Sequence, residues 1–136
     1  MIVVDSNILA YLHIPGVHTP VAESLLEKDS EWVAPILWRS ELRNVLAGYA
    51  RRGCLTVEEA RRIQWEAEDL MSGYEYDVDS GSVFDLVSLS DCSAYDCECV
   101  ALAQQLRVSL VTMDAQVLRA FPDVAVALTN AGGKGP

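Results

Sequence analysis

The sequence predicts an α/β domain in which a parallel β-sheet carries helices on both faces. Short apolar segments rich in Val, Leu and Ile predict four strands, at residues 2–5, 32–34, 108–112 and 124–128. Segments with helical periodicity lie between them, and strands that alternate with helices are typical of parallel sheets. At 136 residues, 51% of them hydrophobic, the chain is long enough for one domain with a substantial core.

The first half of the chain predicts four helices, over residues 6–12, about 20–29, 36–52 and 56–71. Pro20 suits the first turn of the second helix, where its missing N–H costs nothing. The third helix carries an apolar i, i+3, i+4, i+7 stripe from Leu42 to Tyr49, and Gly53 ends it. Thr56 and Glu59 have the spacing of a capping box at the start of the fourth helix.

The second half of the chain predicts three further helices, over residues 84–89, 93–107 and 115–120. The segment at 73–83 is polar and contains glycine, so no element is predicted there. The last few positions are rich in glycine and contain no large apolar residue. The sequence therefore predicts a single domain over residues 1–130 and a flexible tail over 131–136.

The composition argues against several classes of protein. Every apolar run is interrupted well before ~18 residues, so no transmembrane helix is expected. The first nine residues contain Asp5 and no Lys or Arg, which argues against a secretory signal and for a cytoplasmic protein. The cysteines, at positions 54, 92, 97 and 99, form no C-x-x-C pair and are far in sequence from His13 and His18. Reduced, mostly buried thiols are therefore favoured over a zinc site.

The net charge of −10 is unevenly distributed along the chain. Six of the ten basic residues lie between positions 39 and 62, and none lies between 66 and 106. A basic patch on an acidic body can still steer a polyanion, with a strong dependence on salt. The candidates for contact with a nucleic acid are Arg39, Arg43, Arg51 and Arg52. The alternative is a solvated helical face with i, i+4 ion pairs such as Glu58–Arg62.

Four acidic residues lie where a ligand site is expected. Asp5 and Asp114 each follow a predicted strand, Asp96 lies near the start of a predicted helix, and Glu41 lies on an amphipathic one. In an open parallel sheet, ligands collect outside the carboxyl ends of the strands, where helix N-termini also point. Converging carboxylates there provide the hard oxygen ligands that Mg²⁺ and Mn²⁺ prefer. The pattern therefore predicts metal-dependent phosphodiester chemistry.

Each acid taken alone also has a structural interpretation. Asp5 and Asp114 could cap the helices that follow them, and Asp96 could complete a capping box with Ser93. Glu41 could pair with a neighbouring arginine on its helix. Carboxylates ~4 Å apart, however, repel by ~1 kcal/mol in water and by ~4 kcal/mol at an effective dielectric constant of 20. A fold tolerates such a group when a cation or a shared proton offsets the repulsion.

Two short polar side chains could orient these carboxylates. Asn7 lies two residues after Asp5, and Thr112 lies two residues before Asp114. A hydrogen bond from either side chain would fix the direction of a metal-binding carboxylate.

Four segments carry a resemblance to a known family: Ile2–Asn7, Ser40–Leu46, Ser93–Ala103 and Leu110–Asp114. In this order and at this separation they resemble the PIN-domain ribonucleases, and among these the VapC-type toxins of toxin–antitoxin pairs. The resemblance runs from residue 2 to about 128. It implies a three-layer α/β/α sandwich with a central parallel sheet. It also implies a Mg²⁺- or Mn²⁺-dependent endoribonuclease acting on single-stranded RNA, with a cognate antitoxin as partner.

The resemblance also assigns roles to individual residues. It implies that Asp5, Asp96 and Asp114 bind the metal, and that Glu41, on the opposite wall, completes the catalytic set. Attack by water on the phosphodiester would then leave 5′-phosphate and 3′-hydroxyl ends.

A non-catalytic PIN-like module that binds RNA or protein is the main alternative, although such a module need not retain all four acids. A phosphatase or receiver-type protein would want a lysine after a late strand, and only Lys28 and Lys134 are present. The apolar surplus of the helices at 36–52 and 56–71, with Trp38 and Trp65, predicts a homodimer.

Overall fold

Five short strands form the centre of the computed structural model, which describes residues 1–131. They are β1 (Ile2–Val4), β2 (Trp32–Pro35), β3 (Glu75–Tyr76), β4 (Leu110–Thr112) and β5 (Ala125–Ala127). Neighbouring strands are all parallel, in the order β3-β2-β1-β4-β5. The chain moves in one direction from β1 to β2 and in the other from β4 to β5. The carboxyl ends of β1 and β4 therefore flank a topological switch point, where α/β folds form their ligand crevice.

The helices within the described residues are α1 (Ser6–His13), α2 (Thr19–Lys28), α3 (Trp38–Arg51), α4 (Val57–Met71), α5 (Ser80–Ser88), α6 (Ala94–Leu106), α7 (Ala115–Ala120) and α8 (Leu128–Ala131). None of them combines the length and the apolar character that crossing a membrane requires.

The sheet separates two hydrophobic cores. Side chains alternate along a strand, so Val3 packs in the core shared with α5, α6 and α7, and Val4 packs in the core shared with α1 to α4 and α8. Both valines are fully buried. Trp38 is also buried, in the second core. The predicted three-layer α/β/α sandwich with a central parallel sheet is confirmed.

The segment at 73–83, for which no element was predicted, contains β3 and the first turn of α5. The two residues of β3 are held by long-range pairing, with Ala34 opposite Glu75 and Pro35 opposite Tyr76. A strand this short has no local periodicity, so nothing in the sequence indicates it. Helix α5 begins at Ser80 because the Asp79 carboxylate accepts the Ser82 N–H at 2.9 Å. The predicted start at residue 84 is therefore wrong.

Several predicted boundaries shift by a few residues for local reasons. Strand β1 ends at Val4 because Asp5 caps α1. Helix α6 ends at a left-handed Arg107 (φ 57°), which delays β4 to Leu110. Residue 128, predicted as strand, begins α8. The predicted flexible tail starts at residue 131, which ends α8, and its other positions, 132–136, lie outside the described residues.

Candidate active site

Asp5 and Asp114 lie side by side at the switch point because their strands are neighbours. Asp5 follows β1 and Asp114 follows shortly after β4, and these strands pair in parallel. Each acid also caps a helix. Asp5 Oδ1 accepts the Ile8 N–H at 3.1 Å, and Asp114 Oδ1 accepts the N–H groups of Gln116 and Val117 at 2.8 and 3.1 Å. An acid can therefore cap a helix and also belong to the site, because each cap uses only one of the two carboxylate oxygens.

The second oxygen of Asp5 is held by Thr112. The hydroxyl of Thr112 donates to Asp5 Oδ2 at 2.5 Å and accepts the Asp114 N–H at 3.0 Å. Thr112 is buried, so water does not compete for these bonds. One side chain on β4 therefore fixes the direction of Asp5 and the backbone of Asp114 together.

Asp96 and Glu41 come from the first turns of α6 and α3. Ser93 caps α6 by accepting the Asp96 N–H at 3.1 Å, so the Asp96 backbone, not its carboxylate, makes this capping bond. A side-chain hydrogen bond from Ser6 lowers the pKa of Glu41, against a larger rise from burial. A narrow crevice is lined by Asp5, Ser6 and Glu41, and its walls also include the exposed Tyr95 and the buried Cys99.

The four carboxylates influence one another electrostatically. Burial, together with the charges of Asp96 and Asp114, raises the pKa of Asp5 to about 6, against hydrogen bonds from Thr112 and Ile8 that lower it. Burial also raises the pKa of Glu41, to which the charges of Asp5 and Asp96 add. Burial and the charge of Asp114 raise the pKa of Asp96, against a side-chain hydrogen bond from Ser93 that lowers it. Each of these pKa values is raised, which is the direction expected when like charges lie close together in a partly buried site.

Within residues 1–131, the negative charge of the site has no basic side chain in contact with it. Among the ion pairs between residues 1–131, none involves any of the four acids. The donors are all carboxylate oxygens, which suits a hard divalent cation such as Mg²⁺ or Mn²⁺. No three His, Cys, Asp or Glu side chains in the described part of the chain are placed to hold one ion together. An ion here would therefore take one or two carboxylates directly and complete its shell with water, which is the usual mode of Mg²⁺.

Two residues of the site did not emerge from the sequence. Ser6, directly after Asp5, reaches Glu41, and Glu98 on α6 adds a fifth acid whose charge raises the pKa of Glu41. Ser6 could have been found, because the first residue of a helix that follows a strand end lies beside the strand-end acid. Glu98 could not have been found from the sequence. It lies two residues after Asp96, a rotation of about 200° around the helix, so the helical period places it on the opposite face from Asp96.

Asn7 is the other short polar residue that was predicted to orient a carboxylate. Its side chain is exposed and forms no hydrogen bond with any carboxylate in residues 1–131. The helix phase turns Ser6 toward Glu41 and turns Asn7 toward a neighbouring hollow between α1 and α3.

Arg39 is engaged elsewhere. Its guanidinium binds both oxygens of Glu75 at 2.6 and 2.7 Å and reaches Glu68 at 3.4 Å. The indole of Trp38 donates to the same Glu75 carboxylate at 2.7 Å. These bonds fasten α3 to the edge strand β3. The predicted contact of Arg39 with nucleic acid would therefore have to compete with its bonds to Glu75 and Glu68.

The other three candidate arginines are exposed and lie on α3 or at its end. Arg43, two residues after Glu41, is turned about 200° away from it around the helix. Arg43 and Arg51 line a groove between α3 and α4, where Trp65 is 61% exposed. Arg52 stacks over Tyr49. Arg43 and Arg51 therefore form a surface apart from the acidic site. Of the two tryptophans in the dimer prediction, only Trp65 is available to a partner.

Comparisons with known proteins agree with this architecture. The family model of the PIN domain matches residues 2–125. Ribonuclease VapC3 of Pyrobaculum aerophilum is 30% identical over 124 residues, which cover 89% of this chain and 95% of that protein. The crystal structure of PAE2754 from Pyrobaculum aerophilum is similar with a TM-score of 0.75, at 19% identity, over 95% of this chain and 91% of that one. FitAcB from Neisseria gonorrhoeae is similar with a TM-score of 0.72, at 20% identity, over 93% and 96%.

Proposed function

The chain belongs to the PIN-domain family, and we propose that it is a metal-dependent endoribonuclease of the VapC type that cleaves single-stranded RNA. The observation that carries the proposal is the set of four carboxylates at the switch point, which have no basic partner among the described residues; the pKa values of Asp5, Glu41 and Asp96 are raised, in part by the charges of their acidic neighbours. The relative that is 30% identical is named a ribonuclease, which supports the same chemistry here.

The residues that would hold Mg²⁺ or Mn²⁺ are Asp5, Asp96 and Asp114, directly or through water, with Glu41 on the facing wall. When bound, such an ion activates a water and neutralises the charge that grows on the phosphate.

The protein's own part in the reaction is orientation and proton transfer. Thr112 holds Asp5, and the N-terminal N–H groups of α7 hold Asp114, so neither carboxylate has to be ordered when substrate arrives. Glu41 is partly buried and its pKa is raised, which suits it to accept a proton on a carboxylate oxygen from the attacking water. The water oxygen bonds to phosphorus and the bond to the 3′-oxygen breaks. The 3′-oxygen then takes a proton from solvent.

A non-catalytic PIN-like module remains the second candidate. Unpaired carboxylates held close together destabilise a fold, so a module without chemistry gains nothing from keeping all four. The four acids thus favour catalysis over binding alone.

A cognate antitoxin and a homodimer are part of the proposal. The groove between α3 and α4, with its exposed Trp65 and an arginine rim, offers an apolar surface that a folded partner could cover. A short open reading frame for a DNA-binding protein beside the gene would support the antitoxin. Light scattering at micromolar concentration that gives a monomer mass would contradict the dimer.

The test of the activity is cleavage of an unstructured oligoribonucleotide with and without divalent metal. We expect cleavage with Mg²⁺ or Mn²⁺, none in EDTA, and no effect of a zinc-selective chelator, because no sulfur or nitrogen donor is among the proposed ligands. Asp114→Asn should abolish cleavage, whereas Asp85→Asn, an exposed acid on α5, should not. Cleavage that persists in EDTA would exclude the metal-dependent mechanism.

A further inference from the structure

A hollow of about 230 Å³ opens beside the acidic site, between α1, α3 and the loop that precedes α2. Its walls include Asn7 and Tyr11 of α1, His18 of the loop, and Val45 and Tyr49 of α3. Pockets for drug-sized ligands measure about 300–1,000 Å³, so this hollow suits a single ring system.

Helices α1 and α3 both run from the proposed catalytic residues to the hollow. Glu41, Val45 and Tyr49 follow one another at i, i+4 and i+8, so one row of α3 runs from the acidic site into the hollow. On the facing helix, Asn7 lies two residues from Asp5 and is followed at i+4 by Tyr11. Burial raises the pKa of Tyr11, and the charge of Asp5 adds to the rise, which places that ring within the electrostatic reach of the site.

The side chains of the hollow are those that recognise unpaired bases. The rings of Tyr11 and His18 are in contact, with centroids 4.5 Å apart. Next to the lining, the guanidinium of Arg52 lies 4.9 Å from the centroid of the Tyr49 ring, which itself lines the hollow. Single-stranded RNA is bound by stacking of bases on aromatic rings and guanidinium planes. The Asn7 amide carries both donors and an acceptor for the edge of a base.

The loop that closes the hollow is held in place by Thr19. Its hydroxyl lies 2.6 Å from the carbonyl oxygen of Tyr11, to which it donates, and accepts the Gly16 N–H at 3.0 Å. Binding a ring here would therefore require little ordering of the loop.

We propose that this hollow binds one unpaired base of the RNA strand beside the scissile phosphate. The inference rests on the proposed endoribonuclease function and extends it to substrate recognition. Stacking suits this site because its four acids repel a phosphate backbone. Arg43 lies on the far side of α3, and the Arg52 guanidinium, which lies over the Tyr49 ring, offers a planar surface for stacking as well as a charge. A base has no net charge, so its affinity survives next to the carboxylates.

The experiment measures kcat/KM for a mixed-sequence, unstructured oligoribonucleotide and for a series with one abasic position on either side of the cleaved bond. Stacking contributes ~1–3 kcal/mol per base, which corresponds to a ~5- to 150-fold change. We expect one abasic position to lower the kcat/KM of the wild-type protein by this factor. Tyr49→Leu should lower kcat/KM for intact RNA by a similar factor and should then make that abasic position neutral. Tyr49→Phe should retain the wild-type pattern.

The matched control is Tyr74→Leu, which makes the same substitution at a tyrosine that is 39% exposed and lies outside the site. It should keep the loss of kcat/KM that the abasic position causes in the wild-type protein.

The inference is overturned if no single abasic position affects the wild-type protein, a result that needs no variant to fold. It is also overturned if the losses from Tyr49→Leu and from the abasic position multiply, or if Tyr49→Leu cleaves RNA normally but no longer binds a partner protein. A wild-type protein that cleaves no RNA with metal would overturn the proposed function and this inference with it. Normal cleavage without an abasic effect would overturn the inference alone.

Discussion

The Thr112 hydroxyl donates to Asp5 across 107 positions of sequence, at 2.5 Å, while it accepts the N–H of Asp114. This buried side chain joins the two acids that end β1 and follow β4. Since hydrogen bonds to an ionised carboxylate favour the charged form, Thr112 keeps Asp5 more acidic than burial alone would leave it.

Thr112→Val should test this relationship, because it removes the hydroxyl and nearly keeps the shape. We expect the pKa of Asp5 to rise further and the acid limb of the pH–rate profile to move to higher pH. Stability should fall by about 1–3 kcal/mol in urea unfolding, since a buried charged acceptor loses its donor. Thr112→Ser keeps the hydroxyl and should behave like the wild type. A valine variant with an unchanged profile would show that the bond does not tune Asp5.

The raised pKa of Asp5 predicts how the stability of the metal-free protein depends on pH. The folded protein binds this proton more tightly, with a pKa of about 6 against 3.8 for a free side chain. Stability should therefore fall as the pH rises from about 4 to about 6, by at most about 3 kcal/mol. Other groups also titrate in this range, so the measurement is the difference between wild type and Asp5→Asn in EDTA. That difference should grow in favour of the variant over this interval, and parallel curves would contradict the prediction.

Asp96→Asn distinguishes a metal ligand from a simple helix cap by the sign of its effect. The Ser93 hydroxyl accepts the backbone N–H of residue 96, and this bond survives the change. Removing the charge relieves repulsion from Asp114, so the metal-free variant should melt no lower than the wild type. Millimolar Mn²⁺ should stabilise the wild type by ligand linkage, RT ln(1 + [L]/Kd), and the variant much less.

Ser93→Ala is the control for this experiment, because it removes the cap and leaves the Asp96 charge. It should cost ~1 kcal/mol with or without metal. An Asp96→Asn protein that melts lower without metal and gains as much from Mn²⁺ as the wild type would return Asp96 to a structural role.

Among the arginines of α3, Arg39 should contribute to the stability of the fold and the exposed arginines should not. Arg39→Ala breaks the bidentate bridge to Glu75 and should lower stability by about 1–2 kcal/mol, because charge-assisted hydrogen bonds are lost at a partly exposed site. Arg51→Ala removes an exposed side chain and should change stability by less than ~0.5 kcal/mol.

If the exposed arginines contact RNA, the affinity for RNA should fall as the salt concentration rises, with a log–log slope of about −0.7 for each phosphate neutralised. Affinity that is indifferent to salt would rule those contacts out.

Most of the fold could be predicted because its signals are local. Apolar runs gave β1, β2, β4 and β5, and the Thr56–Glu59 capping box placed the start of α4, where the structure shows both of its hydrogen bonds. Strand β3 could not be predicted, since two residues form a strand only when β2 lies beside them. The tryptophans show the same limit. Trp38 and Trp65 look alike in sequence, yet one is 1% exposed and the other 61%.

By itself, the sequence determined which residue types stand at the element ends, and hence that carboxylates gather at one edge of a parallel sheet. Parallel pairing brings strand ends together wherever the chain places them, so Asp5 and Asp114 become neighbours without any local signal that joins them. Only the tertiary structure decided how the polar neighbours act. The phase of α1 gave the contact with Glu41 to Ser6 and turned Asn7 into the adjacent hollow, and the packing of α3 against β3 committed Arg39 to Glu75. These choices depend on rotations of single residues about a helix axis, which are fixed by contacts between elements distant in sequence.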